Sequence, residues 1–268
     1  MTERPALPTP PPSILVFAPR ERTRELAREA FPRRRWRLLV TRTLDDFAPA
    51  FHDELIDAAI VDIGGAQEET WRAAALAREF PSVPFFALST LRPAEGPALA
   101  QCSALEFADV LVETVDEDAI RELVARQAFT TRFARALSTP PAALGLSSDL
   151  QLGAWQYMVM HAGRPVRTAP LAQALGVTRE HLSRSFSAGG APNLKRIIDL
   201  VRLIAAAELS KNPGYDTRDV AHILSFASSS HLSSTAQRIA DTRPASLARL
   251  RTIDLVERFT RGNARSRG

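Results

Sequence analysis

Hydrophobic positions follow two different patterns along the chain. Up to about residue 127 they gather in five short runs: SILVF (13–17), WRLLV (36–40), AAIVDI (58–63), VPFFALS (83–89) and DVLVE (109–113). Helix-like polar stretches separate most of these runs, notably RERTRELAREAF, EETWRAAALAREF and EDAIRELVARQAF. Apolar strands that alternate with amphipathic helices are typical of a parallel sheet covered on both faces. The first half therefore predicts a doubly wound α/β domain.

From Asp149 onward the apolar positions fall at helical spacing and predict an all-α domain of about seven helices. These are DLQLGAWQYMVMHA, PLAQALG, TREHLSRSFS, LKRIIDLVRLIAAAELSK, TRDVAHILSF, SSSHLSSTAQRIA and PASLARLR. The last helix of the first half is predicted to run from Glu117 to Leu137, before Pro140 and Pro141. The predicted boundaries are a disordered N-terminus at 1–12, the α/β domain at 13–137, a linker at 138–147, the helical domain at 148–255 and a basic tail at 256–268, in which TRGNARSRG (260–268) is expected to be flexible.

Charge divides in the same way. Residues 1–147 carry 17 Arg against 21 Asp and Glu, a net charge of −4, whereas residues 148–268 carry 17 Lys and Arg against 9 acidic residues, a net charge of +8. Only Lys195 and Lys211 are lysines, and arginine suits bidentate contacts to phosphate or guanine. A GC-rich coding sequence also favours arginine, so charge by itself does not identify a partner.

Several classes of protein are not expected. No run of about 18 apolar residues would cross a bilayer, and the Pro-rich start MTERPALPTPPPS lacks the apolar core of a signal peptide, so we expect a cytoplasmic protein without membrane contact. The single cysteine, Cys102, cannot form an internal disulfide, and the histidines show no metal-site spacing. No phosphate-binding loop, nucleophile elbow or Ser/His/Asp set is present. We therefore expect no cofactor, no metal and no enzymatic activity.

The stretch LAQALGVTREHLSRSFS (171–187) predicts a helix-turn-helix unit. Four apolar residues mark the core-facing edges, one turn apart in each helix: Leu171, Leu175, Leu182 and Phe186. Gly176 allows the left-handed turn between the helices, and Thr178 can cap the second helix. The outer face of that helix carries Arg179, Glu180, Ser183, Arg184 and Ser187, which can reach base edges and phosphates in a major groove. A helical hairpin with a Gly corner also occurs as plain scaffold.

A second stretch, TRDVAHILSFASSSHLSSTAQR, repeats this arrangement. Val220 and Leu224 match Leu171 and Leu175, and His231-Leu232-Ser233 matches His181-Leu182-Ser183. The helix between the two stretches, predicted at about Leu194 to Lys211, would be about 27 Å long, close to the roughly 34 Å between successive major-groove faces. Two reading helices on one rod would then enter adjacent grooves on one side of the duplex.

On these residues, with the linker-helix pattern LVRLIAAAELS and the later TRPASLAR, the segment from about Asp149 to Arg251 resembles the DNA-binding domain of the AraC/XylS family of bacterial transcription regulators. The resemblance implies seven helices with two helix-turn-helix units, and double-stranded DNA as the partner. It places the base-reading positions of the first unit on Arg179, Glu180, Ser183 and Arg184. Arg184 is the strongest candidate, with an expected discrimination of about 1–3 kcal/mol if it is bidentate to guanine.

The second unit departs from the family pattern. The resemblance places its reading positions on Ser229, Ser230, His231, Ser233 and Ser234. The family usually has Arg where Ser234 stands, Gly at Ser225 and an aromatic residue at Ala236. We expect this helix to position the chain against phosphate through hydroxyls rather than to read bases. His181 and His231 could in principle bind zinc, but each stands alone, and packing or phosphate contact is the favoured interpretation.

The first half resembles a response-regulator receiver, a (βα)5 fold, on SILVFAPRE, AAIVDIGG, VPFFALST and DVLVETVDEDAI. By that resemblance Asp62 is the phosphate-accepting aspartate and Ser89 the hydroxyl that reads the phosphoryl group. The acidic pair that follows the first strand is replaced by Ala18 and Pro19, and the lysine at the end of the fifth strand by Glu113.

These replacements remove the chemistry of phosphorylation. One carboxylate is a poor Mg²⁺ site, and exchange of lysine for Glu113 changes the local charge by −2, which repels a phosphoryl group. We therefore predict a pseudoreceiver that is not phosphorylated on Asp62. Arg20 is expected to pair with Asp62 or Glu113 instead.

Such a domain can still form a homodimer, contact a protein or sense a small-molecule effector. Receivers commonly pair through their last helices and strand, and Ile120, Leu123, Val124 and Ala128 form an apolar edge at helical spacing. Burial of this edge against its own sheet is the equal alternative. The whole sequence predicts a DNA-binding transcription regulator with a phosphorylation-independent pseudoreceiver. The alternatives are a receiver-like adaptor with degenerate DNA binding and, against the residues above, a working phosphotransfer regulator.

Overall fold

The computed structural model describes residues 9–188 and 191–265, which form two compact units. An α/β unit comprises Pro11–Arg132 and Asn212–Asp219, and a helical unit comprises Phe133–Lys211 and the chain from Val220 onward. Most of the predicted disordered N-terminus, up to residue 8, and residues 266–268 of the predicted tail lie outside the described residues. No helix of the described part is long and apolar enough to cross a membrane.

Five parallel strands form one sheet in the described part of the α/β unit, in the order β2-β1-β3-β4-β5. They are β1 (Ser13–Phe17), β2 (Arg37–Thr41), β3 (Ala58–Asp62), β4 (Phe85–Ser89) and β5 (Asp109–Val112). The helices that alternate with them are α1 (Glu21–Ala30), α2 (Leu44–Asp53), α3 (Glu68–Ala75), α4 (Gly96–Ala104) and α5 (Glu117–Gln127). The α/β prediction is confirmed, and each predicted strand lies within two residues of an observed one.

The apolar edge of α5 packs into the core of its own unit. Ile120 and Val124 are 3% and 0% exposed and belong to one cluster with Ile14 and Val16 of β1 and with residues of α1. Leu123 points away from this cluster and is 36% exposed. Of the two expectations for this edge, burial against its own sheet accounts for most of it.

The predicted continuous helix from Glu117 to Leu137 is wrong, because the chain breaks at Ala128. Its backbone is extended there (φ −49°, ψ 140°), and a separate helix, α6 (Phe129–Ala136), follows. The buried carboxylate of Asp57 accepts the backbone amide of Thr130 at 2.9 Å and also the Thr130 hydroxyl. A side chain from another part of the sheet thus binds the first turn of α6, where helix amides have no partner of their own.

The second half of the chain is helical, as predicted. Its α-helices are α7 (Asp149–Met160), α8 (Thr168–Ala174), α9 (Arg179–Ala188), α10 (Leu194–Leu209), α11 (Thr217–Ile223), α12 (Ser229–Ala240) and α13 (Thr252–Arg265). Helix α10 forms the centre of the helical unit, because Ile197, Leu200 and Leu203 are fully buried and α7, α9, α12 and α13 all contact it. The Trp155 indole of α7 donates to the Leu137 carbonyl at 2.7 Å.

The end of the chain differs from the prediction. PASLARLR forms a 3-10 helix over Pro244–Arg249 instead of an α-helix, and α13 was not predicted. The predicted basic tail at 256–268 is helical through Arg265, with Val256 and Phe259 buried, and the helix includes the first six residues of TRGNARSRG, which were expected to be flexible. The guanidinium of Arg196 lies 5.2 Å from the centre of the Phe259 ring. Packing of this apolar edge keeps the basic segment helical.

The segment Asn212–Asp219 packs within the α/β unit, although it follows α10 in the sequence. Both amide atoms of the Asn212 side chain bind Ser82: the Ser82 backbone amide donates at 2.8 Å and the Ser82 hydroxyl accepts at 2.7 Å. The Tyr215 ring lies 4.8 Å from the Phe80 ring. At Gly214 a Cβ atom would lie 2.6 Å from the Phe80 ring, so only glycine fits there.

Candidate functional site

Three residues that the sequence analysis singles out lie at the carboxyl ends of three neighbouring strands of the α/β unit. Asp62 ends β3, Ser89 ends β4, and Glu113 follows β5. The parallel register brings Asp62 beside Leu88 and Ser89 beside Val112, so the three residues share one edge of the sheet. Ala18 and Pro19 follow β1 at the same edge and contribute no carboxylate.

Arg20 binds both acidic residues at this edge. Its Nε donates to Asp62 Oδ1 at 2.9 Å and to Oδ2 at 2.8 Å, and its Nη2 contacts both Asp62 and Glu113. The carboxylates are buried, with 1% and 8% of their side chains exposed, while the Arg20 side chain is 32% exposed. The predicted pairing of Arg20 is confirmed, and it involves both partners instead of one.

The electrostatic balance favours this cluster. Burial lowers the pKa of Arg20, but the hydrogen bonds and charges of Asp62 and Glu113 outweigh burial, and the pKa lies above its ordinary value. The guanidinium therefore stays charged and supplies the positive charge that a lysine or a cation would bring to this edge. A second carboxylate beside Asp62 would otherwise be strongly repelled.

Two further residues complete the cluster, and sequence reasoning missed both. The Thr23 hydroxyl donates to Asp62 Oδ2 at 2.7 Å, and the Gly64 amide donates to Asp62 Oδ1 at 3.0 Å. A Cβ atom at Gly64 would lie 2.3 Å from the Arg20 guanidinium. The only sequence signal for this contact is the Gly-Gly pair after β3. A cavity of about 320 Å³ opens beside the cluster.

Ser89 does not bind Asp62 in this arrangement. Its hydroxyl donates to the carboxylate of Glu95, a buried residue in the loop between β4 and α4. Among the residues the structure describes, no group of three or more His, Cys, Asp or Glu side chains is placed to hold a metal ion. The edge is thus an arginine-centred cluster, with Ser89 engaged elsewhere.

Helices α8 and α9 present the first set of predicted DNA-contacting residues. Gly176 lies between them with a left-handed backbone (φ +68°), and the Thr178 hydroxyl accepts the His181 amide at 3.1 Å, so the predicted turn and cap are confirmed. Leu182 and Phe186 are fully buried. The predicted reading residues Arg179, Glu180, Ser183 and Arg184 are all exposed on one helix; Ser187 lies outside the residues whose side chains the structure describes.

The charge on this face is mixed. The guanidinium of Arg179 lies 3.9 Å from the carboxylate of Glu180, and both side chains are about two-thirds exposed. A contact of this length between exposed groups is weak and is screened by salt. It leaves Arg179 able to turn toward another anion.

Helices α11 and α12 present the second set. Ser230, His231 and Ser234 are exposed, whereas Ser229 and Ser233 are half-buried. The Ser233 hydroxyl donates to the Ser229 carbonyl at 2.9 Å, and the Ser234 hydroxyl to the His231 carbonyl at 3.0 Å. These hydroxyls donate to carbonyls of their own helix, so each must break that bond before it can donate to a phosphate.

The corner between α11 and α12 is held by a residue that sequence reasoning missed. Ser225 has the left-handed backbone (φ +54°) expected from its place at the turn. Arg202 of α10 donates to the carbonyls of Leu224 at 2.8 Å and Ser225 at 2.6 Å, and its guanidinium lies 3.8 Å from the centre of the Phe226 ring. One arginine thus binds the carbonyls at the end of α11 and the aromatic residue of the corner.

Comparison with known proteins finds similarity only among solved structures. No protein-family model matches the chain, and no curated protein sequence matches it. A response regulator from Thermotoga maritima is similar at 17% identity and a TM-score of 0.38, over 44% of this chain and 97% of that one. Full-length FixJ from B. japonicum is similar at 12% identity and a TM-score of 0.39, over 70% of this chain and 94% of that one.

NtrX from Brucella abortus is similar at 14% identity and a TM-score of 0.41, over 62% of this chain and 40% of that one. Values this low transfer no ligand and no activity to this chain.

Proposed function

We propose that this chain is a sequence-specific DNA-binding transcription regulator of the AraC/XylS type, with no catalytic activity and with a receiver-like unit that acts without phosphorylation. The observation that carries the proposal is the exposed face of α9. Arg179, Ser183 and Arg184 lie on one helix behind a left-handed glycine turn, and that helix packs on the unit through fully buried Leu182 and Phe186. A rigid helix with exposed arginines is the geometry that reads a major groove.

In this proposal α8 with α9, and α11 with α12, are two helix-turn-helix units joined by α10. Helix α10 has 16 residues and is therefore about 24 Å long. The first unit reads bases, with Arg184 as its main contact. The second unit positions the chain on phosphates, because His231 and Ser230 are exposed while the hydroxyls of Ser233 and Ser234 bind their own helix.

The receiver-like unit has a different role in this proposal. Arg20 fills the place where an incoming phosphoryl group would meet Asp62, and Glu113 adds negative charge. We propose that this unit supports a homodimer and contacts a protein or small-molecule effector. Exposed Leu123 on α5 and the half-exposed strand β5 favour self-association at this face.

A receiver-like adaptor that binds protein and has lost DNA reading is the second candidate. The exposed Glu180 next to Arg179 and the serine-rich α12 favour it, because they interrupt a continuous basic surface. An adaptor would bind DNA only through charge, with the same affinity for every sequence.

Selection of genomic DNA fragments by the purified protein distinguishes the two functions. We expect wild type to enrich a shared motif at moderate salt, and Arg184→Ala to lose preference at one guanine, at a cost of about 1–3 kcal/mol, while it keeps nonspecific binding. Arg34→Ala, which removes an exposed arginine from the α/β unit, is the matched control and should select the wild-type motif. If wild type enriches no motif and binding only weakens with salt, the adaptor replaces the regulator.

A further inference from the structure

The loop between β4 and α4 is closed by a carboxylate of the chain itself. The hydroxyls of Ser89 and Thr90 both donate to the Glu95 carboxylate, and the Thr90 backbone amide donates to Glu95 Oε2 at 3.0 Å. We propose that Glu95 is a built-in anion that fixes this loop in one conformation, so that the loop needs no added anionic group to hold it. This inference rests on the phosphorylation-independent role proposed above.

Ser89, Thr90, Leu91 and Glu95 are joined by one hydrogen-bond network. Both Glu95 oxygens accept bonds, and the Ser89 oxygen in turn accepts the Leu91 amide at 2.9 Å. Ser89 is fully buried and Glu95 is 9% exposed. A buried carboxylate with three donors is stable, whereas the same donors without an anion would lose their partners.

The backbone of this loop is strained at Leu91. Leu91 has a left-handed backbone (φ +54°), which is unfavourable for a residue with a Cβ atom. Its side chain is 52% exposed, so burial of Leu91 does little to offset that cost. In this proposal the bonds from Thr90 to Glu95, and from the Leu91 amide to Ser89, offset that cost.

Hydrogen bonds, and to a lesser extent a nearby charge, keep Glu95 ionised. Burial raises the pKa of Glu95, but the bonds from Ser89 and Thr90 and the positive charge of Arg20 outweigh it, and the pKa lies below its ordinary value. Arg20 also binds Asp62 and Glu113. One guanidinium therefore acts on the acid that ends β3, on the acid that follows β5 and on the carboxylate of the β4–α4 loop.

The consequence is that Ser89 is already occupied. A phosphoryl group on Asp62 would have to displace Glu95 to gain the Ser89 hydroxyl. Glu95 is thus a positioning residue. It holds the loop in this conformation without a phosphoryl group on Asp62.

Hydrogen exchange of the Thr90 and Leu91 amides tests this proposal in the full-length protein without DNA. We expect Glu95→Gln to speed exchange at both amides about tenfold, because Gln keeps only one of the two acceptor oxygens and removes the negative charge that strengthens these hydrogen bonds. Glu95→Ala should do the same, and acetate should restore protection in Glu95→Ala but not in Glu95→Gln. Glu25→Gln, which neutralises an exposed acid of α1, is the matched control and should exchange as wild type does.

Unchanged exchange at Thr90 and Leu91 in both Glu95 variants would overturn the proposal, because packing alone would then hold the loop. If a Glu95 variant instead exchanges faster throughout β1 and β3, the unit has lost stability, and the addition of acetate to Glu95→Ala decides: restored protection at Thr90 and Leu91 supports the proposal, and no restored protection at these two amides overturns it. The selection of DNA fragments is a separate measurement, so failure of the regulator function would leave this result standing.

Discussion

Arg20 occupies the central position among the individual residues of the α/β unit. It joins the buried carboxylates of Asp62 and Glu113, which are 51 residues apart in the sequence and share one edge of the sheet. The positive charge that both acids contact therefore comes from a single side chain, in the loop that follows β1. Thr23 and the Gly64 amide bind the same carboxylate and fix its orientation.

Loss of Arg20 should destabilise the α/β unit. Arg20→Ala leaves two buried carboxylates without a positive charge beside them, and we expect a loss of about 1–3 kcal/mol in the free energy of unfolding, less than for a fully buried pair because water reaches Arg20. Urea denaturation measures it. Arg22→Ala, on the exposed side of α1, should change stability by less than about 0.5 kcal/mol. Equal stability of wild type and Arg20→Ala would show that the cluster contributes nothing to folding.

His161 makes the helical unit sensitive to acid. It is buried, its Nδ1 lies 2.7 Å from the Tyr157 carbonyl, and burial lowers its pKa below the ordinary 6.5. The unfolded chain therefore binds a proton at His161 more tightly than the folded chain does. The contribution of His161 to the free energy of unfolding is complete above pH 6.5 and falls as the pH drops below 6.5. We expect His161→Gln to lose less stability than wild type between pH 7.0 and about pH 5.5 in urea titrations. The exposed His181→Gln should follow wild type; parallel curves for all three proteins would exclude His161 as the cause.

A side chain of α10 holds the corner between α11 and α12. Helix α10 is the centre of the helical unit, and Arg202 on it binds the end of α11 and the Phe226 ring. This contact offsets the cost of a left-handed backbone at Ser225, a residue with a Cβ atom. A serine can therefore stand at this corner in place of glycine.

Replacement of Arg202 should release this corner. Arg202→Met keeps the aliphatic packing but removes two carbonyl hydrogen bonds and the contact with the ring face, and we expect a loss of about 1–3 kcal/mol. Ser225→Gly added to this variant should recover part of the loss, because glycine adopts the left-handed backbone without the side-chain cost. Thermal denaturation of the two variants and wild type measures both effects. An unaltered melting temperature in Arg202→Met would mean that buried Leu224 and Phe226 hold the corner unaided.

The whole molecule combines an acidic first half with a basic second half. If DNA binding belongs to the helical unit and the receiver-like unit works without phosphorylation, the two properties respond to different treatments. Salt should weaken DNA binding, whereas phosphodonors should leave it unchanged.

Treatment with acetyl phosphate and Mg²⁺ tests this at the scale of the whole protein. We expect no mass increase on Asp62 and the same affinity for a selected DNA fragment before and after treatment, because Arg20 and Glu113 oppose attack at Asp62. Intact-mass measurement and DNA titration provide the two readouts. A stable phosphoryl adduct on Asp62 would mean that the unit is a working receiver.

Much of the fold follows from local pattern. The strands β1, β3 and β4 are buried on both faces, so their residues form unbroken apolar runs that a reader of the sequence can recognise. Helices α2 and α4 were not predicted, and the reasons are local as well. Pro49 lies inside α2 and is unusual within a helix, and α4 (GPALAQCSA) lacks the polar face that marks an amphipathic helix. The turn at Gly176 and the cap at Thr178 were predictable because both act within a few residues.

The sequence by itself determined the alternation of strands and helices, the division of charge, and the presence of Ala18 and Pro19 after β1 and of Glu113 after β5. Tertiary structure alone decided that Glu95 accepts the Ser89 hydroxyl, that Asp57 binds the first turn of α6, and that Arg202 holds the corner at Ser225. The physical reason is range. Periodicity and turn chemistry act between neighbours along the chain, whereas a buried carboxylate or guanidinium binds whichever partner the fold brings within about 3 Å.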